Sequence, residues 1–364
     1  MTSDNTYIDY LLQEIRKENK PVALMEVCGT HTMAIAKSGI RNLLPPGFNL
    51  LSGPGCPVCV TSQGDIDAVI ELVGQPDITL VTFGDMMRVP GTHSSLQEER
   101  SRGADIRVAY SPLDALEMAR KNPQREVVFL GIGFETTAPA VGITVEQAAY
   151  EHLPNISIFS LHKLVPPALE VIFSDPDIRV DGLICPGHVS AVIGVEPYSI
   201  LAEKYHKPCV VTGFEAVDIL EGLVMLLRQL QTNRAVAEIQ YRRVVKSEGN
   251  KVARETLERV FKPTDARWRG LGLIPGSGLE LQDEYQNFDA RKRFAIPEIE
   301  DIPIKGCACG DVLTGKISPH DCALFGKACT PLRPVGPCMV SHEGACAAYY
   351  RYTPLKGRDS NDYR

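Results

Sequence analysis

The sequence contains no apolar run of transmembrane length and no concentration of positive charge. A helix needs about 20 apolar residues to cross a bilayer, and the polar, acidic N-terminal segment does not resemble a secretory signal. The net charge is −7 and the lysines and arginines are scattered, whereas a nucleic-acid partner would require a basic face. We therefore predict a cytoplasmic protein whose partners include neither nucleic acid nor a membrane.

Structural disulfides are not expected in a reducing compartment, so the eleven cysteines need another explanation. Three of them lie in the first 60 residues, and six fall within 40 residues near the C-terminus. Cys185 and Cys209 stand apart from both groups. This distribution predicts two cysteine centres, one toward each end of the chain.

Short β-rich apolar runs alternate along the chain with segments of helical periodicity. Examples are residues 22–27, 126–131 and 156–161, each of which precedes a helical pattern. Such alternation is typical of βαβ units, whose parallel sheets are covered on both faces. We predict an α/β protein with two Rossmann-like parallel α/β domains that face a central cleft, plus a smaller cysteine-rich C-terminal iron–sulfur domain.

Two similar segments indicate a duplicated lobe. The segments GFETTAPAVGI at 133–143 and GFEAVDILEGL at 213–223 each follow an apolar run and open a helical pattern. Near residue 264 the sequence becomes rich in proline and glycine and loses its periodicity, which favours a connector. The predicted domains are 1–125, with the N-terminal cysteines, 126–263, with the GFETTAP and CPGHVS loops, and 264–364, with the connector and the cluster.

Several chemically useful side chains directly follow a predicted strand. They are Cys28, Cys56, Asp85, Glu135, His162, Cys185 and His188. Ligands of open α/β sheets bind at the carboxyl ends of the strands, so we expect these side chains to contribute to one composite cleft.

The segment CGTHT places Cys28 and His31 on a loop that enters a helix. Backbone N–H groups and the helix dipole stabilise a thiolate at such a position, so the pKa of Cys28 is expected to fall. His31 is near enough to act as a base or a hydrogen-bond partner. The alternative is a partly buried cysteine beside a capping histidine.

Cys56 and Cys59 form a Cys-x-x-Cys pair within the rigid segment GPGCPVC. Prolines and glycines fix an irregular turn there, which is not needed to bury two small apolar residues. A zinc knuckle would need a second pair of ligands, which the N-terminal half lacks. The pair is therefore either a redox dithiol or, with Cys28, a site for a soft metal such as iron.

The glycine-rich loops GFETTAP and CPGHVS match neither a dinucleotide fingerprint nor a P-loop, which argues against nucleotide binding. Glu135 and His188 in these loops could be acid–base groups or could orient a metal ligand. Structural capping is the alternative for each of them.

The C-terminal cysteines are Cys307, Cys309, Cys322, Cys329, Cys338 and Cys346. They include no Cys-x-x-Cys pair, so a zinc ribbon is not expected. A compact loop-rich segment with at least four thiols suits an iron–sulfur cluster, which leaves two thiols for a redox disulfide beside it. A structural zinc site with spare thiols is the alternative.

Taken together, these motifs resemble the HypD family of accessory proteins for [NiFe]-hydrogenase maturation. The resemblance rests on EVCGTHT, GPGCPVCVT, GFETTAP, CPGHVSAVIG and the cysteine-rich tail, and it extends from about residue 22 to residue 353. It implies two α/β domains and a third domain that holds a [4Fe–4S] cluster.

The resemblance also implies a function and partners. The protein would be a scaffold, shared with a HypC-type chaperone, on which a transient iron receives two cyanides and one carbonyl. Cyanide would come from a HypE-type donor, and the finished group would pass to the hydrogenase large subunit. In this function Cys28, Cys56 and Cys59 are candidate iron ligands.

A likeness to ferredoxin–thioredoxin reductase implies a division of the C-terminal thiols. Cys307, Cys322, Cys329 and Cys346 would bind the cluster, and Cys309 with Cys338 would form the redox pair. The competing functions are an iron–sulfur protein-disulfide reductase that exchanges through Cys56 and Cys59, and a zinc-stabilised adaptor.

Overall fold

The protein consists of two parallel sheets, one β-hairpin and a cysteine-rich C-terminal region, as seen in a computed structural model that describes residues 2–302 and 304–353. The strands are β1 (Val22–Glu26), β2 (Phe48–Ser52), β3 (Ile78–Thr82), β4 (Asp105–Val108), β5 (Glu126–Gly131), β6 (Ile156–Ser160), β7 (Gly182–Pro186), β8 (Cys209–Thr212), β9 (Ala237–Ile239), β10 (Phe261–Trp268) and β11 (Gly272–Leu281). Every residue of β3 and β7 is buried, as expected of parallel strands covered on both faces.

Helices connect the strands. They are α1 (Thr2–Arg16), α2 (Gly29–Ser38), α3 (Ile40–Leu43), α4 (Pro57–Val60), α5 (Gln63–Val73), α6 (Leu96–Ser101), α7 (Pro112–Lys121), α8 (Ala138–Tyr150), α9 (Val165–Ser174), α10 (Gly187–Ile193), α11 (Glu196–Tyr205), α12 (Ala216–Gln231), α13 (Lys251–Val260), α14 (Ala290–Arg293), α15 (Cys309–Leu313) and α16 (Ala345–Tyr352). Short 3₁₀ turns lie at Gly84–Arg88, Asp283–Phe288, Pro319–Asp321 and Pro337–Met339. Within the described residues no helix has both the length and the apolar character to span a membrane.

The predicted α/β class is confirmed by the sheet topology. The first sheet has five strands in the order β2-β1-β7-β8-β9, and the second has four in the order β4-β3-β5-β6. All neighbouring strands within these two sheets are parallel. The repeated GFE segments occupy matching places, since one follows β5 and precedes α8 and the other follows β8 and precedes α12.

The sheets do not follow the domain ranges expected from the sequence. β3 and β4, within 1–125, pair with β5 and β6, within 126–263, while β7 to β9 join β1 and β2. The chain therefore leaves the first sheet after β2 and returns to it after β6. The pattern of apolar runs reveals strands but not their neighbours, because a parallel partner is always reached through a long crossover.

The segment expected to be an unpatterned connector is partly regular. β10 and β11 form an antiparallel hairpin, with an irregularity between Thr264 and Ala266 that interrupts the alternation of buried and exposed residues. Trp268 at the end of β10 is fully buried, and its indole N–H donates to the Ser277 hydroxyl at 2.8 Å. Residues 354–364 of the predicted third domain lie outside the described residues.

The cysteine-rich region packs against the carboxyl edge of the first sheet. α16 contacts α2, and the 3₁₀ turn Pro337–Met339 contacts α4. α2 begins directly after Cys28 and ends at Gly39, whose φ of 70° is the left-handed conformation that favours glycine. The loops that carry the N-terminal cysteines and the cysteine-rich region therefore meet at the same edge of one sheet.

Candidate functional site

The loops after β1 and β2 leave the first sheet side by side, because these neighbouring strands are parallel and in register. The Gly29 N–H donates to the Gly55 carbonyl oxygen at 2.8 Å, and the Gly53 N–H donates to the Glu26 carbonyl oxygen at 2.7 Å. A Cβ atom on Gly55 would lie 2.1 Å from the backbone nitrogen of Cys28. This close backbone approach explains the glycine before Cys56 and brings the two cysteine loops together.

Cys28 occupies the N-cap position of α2 and is only 8% exposed. Burial raises the pKa of its thiol to about 12, and Glu343 and Glu26 add to the increase, whereas the backbone N–H groups of His31 and Thr30 act in the opposite direction. The expectation of a lowered pKa is therefore wrong, because the loss of hydration exceeds the effect of the helix terminus. In the metal-free protein Cys28 is a protonated thiol.

Glu343 is a site residue that the sequence did not reveal. Its Oε1 accepts a hydrogen bond from the Thr30 hydroxyl at 2.9 Å. A Cβ atom on Gly29 would lie 2.4 Å from the Glu343 Cβ, so the glycine of CGTHT makes room for this contact. The carboxylate acts electrostatically on both Cys28 and His188. No local sequence pattern indicates Glu343, because its partner Thr30 lies 313 residues earlier in the chain.

His31 and His188 lie on the aromatic ring of Phe214, with ring centroids 4.7 and 4.1 Å away. His31 Nε2 is 2.9 Å from the Gly213 carbonyl oxygen. Because a carbonyl only accepts, Nε2 carries the hydrogen and Nδ1 presents a lone pair. This Nδ1 is buried and has no hydrogen-bond partner among the described residues. Burial lowers the pKa of His31 to about 4, so the ring is neutral. His188 is more exposed, and partial burial lowers its pKa as well.

Glu135 lies at the end of β5 in the other sheet. Its Oε1 accepts the Val165 N–H at 2.9 Å, at the first residue of α9, and the carboxyl group is 2% exposed. Burial raises its pKa to about 7. None of the contacts of the described residues joins Glu135 to Cys28, so the expected composite cleft does not include it by direct contact.

The other strand-end residues are also distributed between the sheets. His162 Nδ1 lies 3.0 Å from the Ser160 hydroxyl at the end of β6. Asp85 accepts a hydrogen bond from the Ser341 hydroxyl at 2.9 Å, which ties the second sheet to the C-terminal region. Cys185 is buried in β7 beside Cys209.

Cys56 and Cys59 are joined by a disulfide across the single turn of α4, and both are buried. In this state neither sulfur can act as a thiolate ligand, so a role in metal binding would require the reduced form. Cys59 Sγ lies 3.9 Å from the Pro337 carbonyl oxygen. The disulfide therefore abuts the residue that precedes Cys338.

The six C-terminal cysteines line one cavity, together with apolar side chains that include Leu324 and Phe325. The thiol of Cys309 interacts by hydrogen bonds with Cys307 and Cys338, which lowers the pKa of Cys309 and raises the pKa of the other two. A Cβ atom on Gly336 would lie 2.7 Å from Cys307 Sγ. The six thiols exceed in number the four that an iron–sulfur cluster uses, although among the described residues no three His, Cys, Asp or Glu side chains are grouped to hold a single metal ion.

Comparison with known proteins agrees with this arrangement. The HypD family model, described as the hydrogenase formation hypA family, matches residues 6–353. The chain belongs to the HypD family. The hydrogenase maturation factor HypD of Rhodobacter capsulatus is 49% identical over 340 residues, which cover 92% of this chain and 90% of that protein.

Two further relatives support the assignment. The hydrogenase maturation factor HypD of Escherichia coli (strain K12) is 47% identical over 336 residues, with 92% of this chain and 90% of that protein covered. A putative hydrogenase expression/formation protein of Methanocaldococcus jannaschii is 42% identical over 353 residues, with coverage of 96% and 98%. The HypD resemblance inferred from the motifs is thus confirmed over nearly the whole chain.

Substitution of Gly55 tests the close approach of the two cysteine loops. Gly55→Ala should lower the free energy of unfolding by about 1–3 kcal/mol, because the methyl group would overlap the backbone of Cys28. Gly84→Ala is the matched control, since its Cβ would lie at an ordinary 3.6 Å from Val108. Urea denaturation measures both variants, and equal stability would contradict the approach described.

The raised pKa of Glu135 predicts a pH dependence of stability. Its folded-state pKa of about 7 exceeds the ordinary value of 4.5, so the folded protein holds this proton more tightly than the unfolded chain. The stabilisation is complete below about pH 4.5 and is lost as the pH rises to 7. When the pH rises from 5 to 8, the free energy of unfolding of Glu135→Gln should fall by roughly 2 kcal/mol less than that of the unsubstituted protein.

The control for this measurement is Glu203→Gln, at an exposed glutamate of α11. It should leave the slope of unfolding free energy against pH unchanged. A Glu135→Gln variant with the unsubstituted slope would show that Glu135 is ionised in the folded protein at pH 5.

Proposed function

We propose that this protein is a hydrogenase maturation factor on which, together with a HypC-type chaperone, iron receives its cyanide and carbonyl ligands. The observation that carries the proposal is the convergence at one sheet edge of a buried thiol, a buried disulfide and a cavity lined by six thiols. Membership of the HypD family and the names of its relatives support the same function.

In this proposal Cys28 is the protein's ligand to the iron cargo. Low-spin iron that carries cyanide and carbonyl favours a soft thiolate. The Cys28 thiol is protonated in the metal-free protein, and an approaching cation would drive the loss of its proton. A single ligand leaves coordination positions for a thiol of the chaperone and for the incoming diatomic ligands. A HypE-type donor would deliver cyanide, and the hydrogenase large subunit would receive the finished group.

The surroundings of Cys28 suit this cargo. His31 offers an unprotonated Nδ1 in a buried place, where it could accept a hydrogen bond or orient a ligand. Glu343 and His188 line the exposed side and could move a proton when the Cys28 thiol ionises. For Glu135, the contact with the first turn of α9 supports the capping alternative rather than acid–base chemistry at Cys28.

The C-terminal cavity would hold a [4Fe–4S] cluster through Cys307, Cys322, Cys329 and Cys346. When bound, such a cluster supplies or accepts single electrons. Cys309 lies against both Cys307 and Cys338, and the likeness to ferredoxin–thioredoxin reductase implies that Cys338 is its redox partner. This dithiol could reduce the Cys56–Cys59 disulfide by thiol–disulfide exchange: one new disulfide forms, one breaks, and the two protons move with the thiols. The contact between Cys59 and Pro337 places the two pairs in neighbouring segments.

A protein-disulfide reductase is the second candidate, favoured by the Cys56–Cys59 disulfide itself. Its substrate would have to reach a sulfur, however, and these two residues are 3% and 0% exposed. A reductase needs a partly exposed attacking thiol. The burial of both sulfurs therefore supports an internal redox function over exchange with a partner's disulfide.

Substitution of Cys28 tests the proposed iron site. Cys28→Ala should abolish hydrogenase activity in a complemented deletion strain, because the iron loses its ligand, while the visible absorbance of the cluster is kept. Infrared spectra of the anaerobically purified complex with the chaperone should show cyanide and carbonyl bands with the unsubstituted protein and none with the variant. Cys209→Ala removes another buried thiol and should mature hydrogenase normally. Normal maturation by Cys28→Ala would remove Cys28 from the mechanism.

Six single serine variants test the division of the C-terminal thiols. Substitution of Cys307, Cys322, Cys329 or Cys346 should lose iron and the brown chromophore and destabilise the region, because metal binding there contributes to folding. Substitution of Cys309 or Cys338 should keep the chromophore but abolish the reversible oxidation of this thiol pair to a disulfide. Iron content, absorbance and free thiols are measured for each. Equal loss of the cluster in all six variants would contradict this division.

A further inference from the structure

The helix that carries Cys346 packs directly on the helix that begins after Cys28. One link between them is the hydrogen bond from Thr30 to Glu343, two residues before α16. A second link starts at Tyr349, which lies one turn after Cys346 on the same face of α16. The guanidinium carbon of Arg41 is 4.7 Å from the centroid of the Tyr349 ring, a cation–π contact.

Arg41 also holds the strand from which the Cys56 loop starts. Its Nε donates to the Leu50 carbonyl oxygen at 3.3 Å, and its Nη2 donates to the Ser52 hydroxyl at 3.1 Å. Ser52 and the charge of Arg41 in turn both act on the carboxyl group of Glu26, whose pKa they lower against the larger effect of burial. One half-buried side chain thus connects the C-terminal helix with the carboxyl ends of β1 and β2.

Glu26 passes this connection to Cys28. Its Oε2 accepts the Cys28 N–H at 3.1 Å, and its Oε1 accepts the Thr32 hydroxyl at 2.6 Å. Glu26 is fully buried, so its carboxyl group cannot exchange these donors for water without cost. Any displacement of Arg41 and Ser52 must therefore either move the Glu26 carboxyl group or deprive it of a polar partner.

We propose that Arg41 is a positioning residue that couples the cysteine-lined cavity to Cys28. Occupation of the cavity fixes Cys346 and with it α16. Tyr349 then holds Arg41, and Arg41 with Glu26 holds the loop of Cys28 closed. When the cavity is empty, α16 is loosened and the Cys28 thiol becomes accessible. The inference rests on the proposed function only in taking a cluster as the occupant of the cavity.

The experiment measures the rate at which iodoacetamide alkylates Cys28 in the full-length protein, followed by mass spectrometry. Each protein is compared with its cluster bound and after the iron is removed by a chelator under reducing, anaerobic conditions. Buried Cys185 in β7 is the internal reference for general unfolding. The variants are Arg41→Met, Tyr349→Leu and, as the matched control, Tyr349→Phe, which keeps the ring under the guanidinium.

In the unsubstituted protein and in Tyr349→Phe, removal of the cluster should accelerate the alkylation of Cys28 about tenfold or more. In Arg41→Met the rate should already be high with the cluster bound, and removal should change it less than twofold. Arg41 does not line the cavity, so its variant should keep the cluster absorbance. Tyr349→Leu should behave as Arg41→Met does.

Three outcomes would overturn the coupling. The first is an alkylation rate of Cys28 in the unsubstituted protein that does not change when the cluster is removed. The second is an acceleration in Arg41→Met as large as in the unsubstituted protein, and the third is an acceleration that Cys185 shows as well. The last two outcomes would indicate unfolding without a specific link through Arg41. Alkylation needs no iron cargo, so this result is independent of the infrared bands. If the cyanide and carbonyl infrared bands persist in the Cys28→Ala complex, the proposed iron site is wrong, whereas the proposed coupling through Arg41 is not affected.

Discussion

The backbone contact between Gly55 and the Cys28 loop is the constraint on which the rest of the site depends. Two adjacent parallel strands deliver their loops to the same edge, and the N–H of Gly29 is satisfied by the Gly55 carbonyl oxygen. No side chain fits between the two backbones. Because the approach is made by main chain, it fixes the start of α2 and the start of α4 together. The thiol and the disulfide are therefore positioned by main-chain packing and hydrogen bonds rather than by flexible side chains.

A second consequence of this packing is electrostatic. Close backbone contact removes water from Cys28, and the resulting loss of hydration raises its pKa far above that of a free thiol. A protonated thiol is a poor nucleophile and resists oxidation. In the proposed iron site, the same burial would protect Cys28 before the cargo iron binds, and the thiol would ionise beside the cation, since a metal ion dominates the local charge. Protection and selectivity for a metal thus arise from one cause.

The sequence was sufficient to predict the elements and insufficient to predict which of them would be neighbours. Apolar runs of about five residues identified strands such as β5 and β6 correctly, because a parallel strand that is buried on both faces needs them. The pairing of β3 with β5 and of β1 with β7 depends on long crossovers that leave no local pattern. The strand-end rule predicted that Cys28 and Cys56 each follow a strand, and the structure adds that these two strands are neighbours. The same rule also selected Glu135, which lies in the other sheet, because it does not say which strands share a sheet.

Glu343 and Arg41 could not be predicted from the sequence as residues of the Cys28 site, because each depends on a contact between the start of the chain and the C-terminal region. Thr30 and Glu343 are separated by 313 residues, and their hydrogen bond closes a site that opens with the second helix of the chain. Between these two residues the chain builds the second sheet and returns to complete the first. No local sequence pattern links residues so far apart, and the same holds for the contact between Arg41 and Tyr349. The Cys28 site therefore combines the loops after β1 and β2 with Glu343 from the cysteine-rich region. The cysteine-rich region thus has a structural role at Cys28, because Glu343 contacts the first turn of α2 and α16 packs on that same helix.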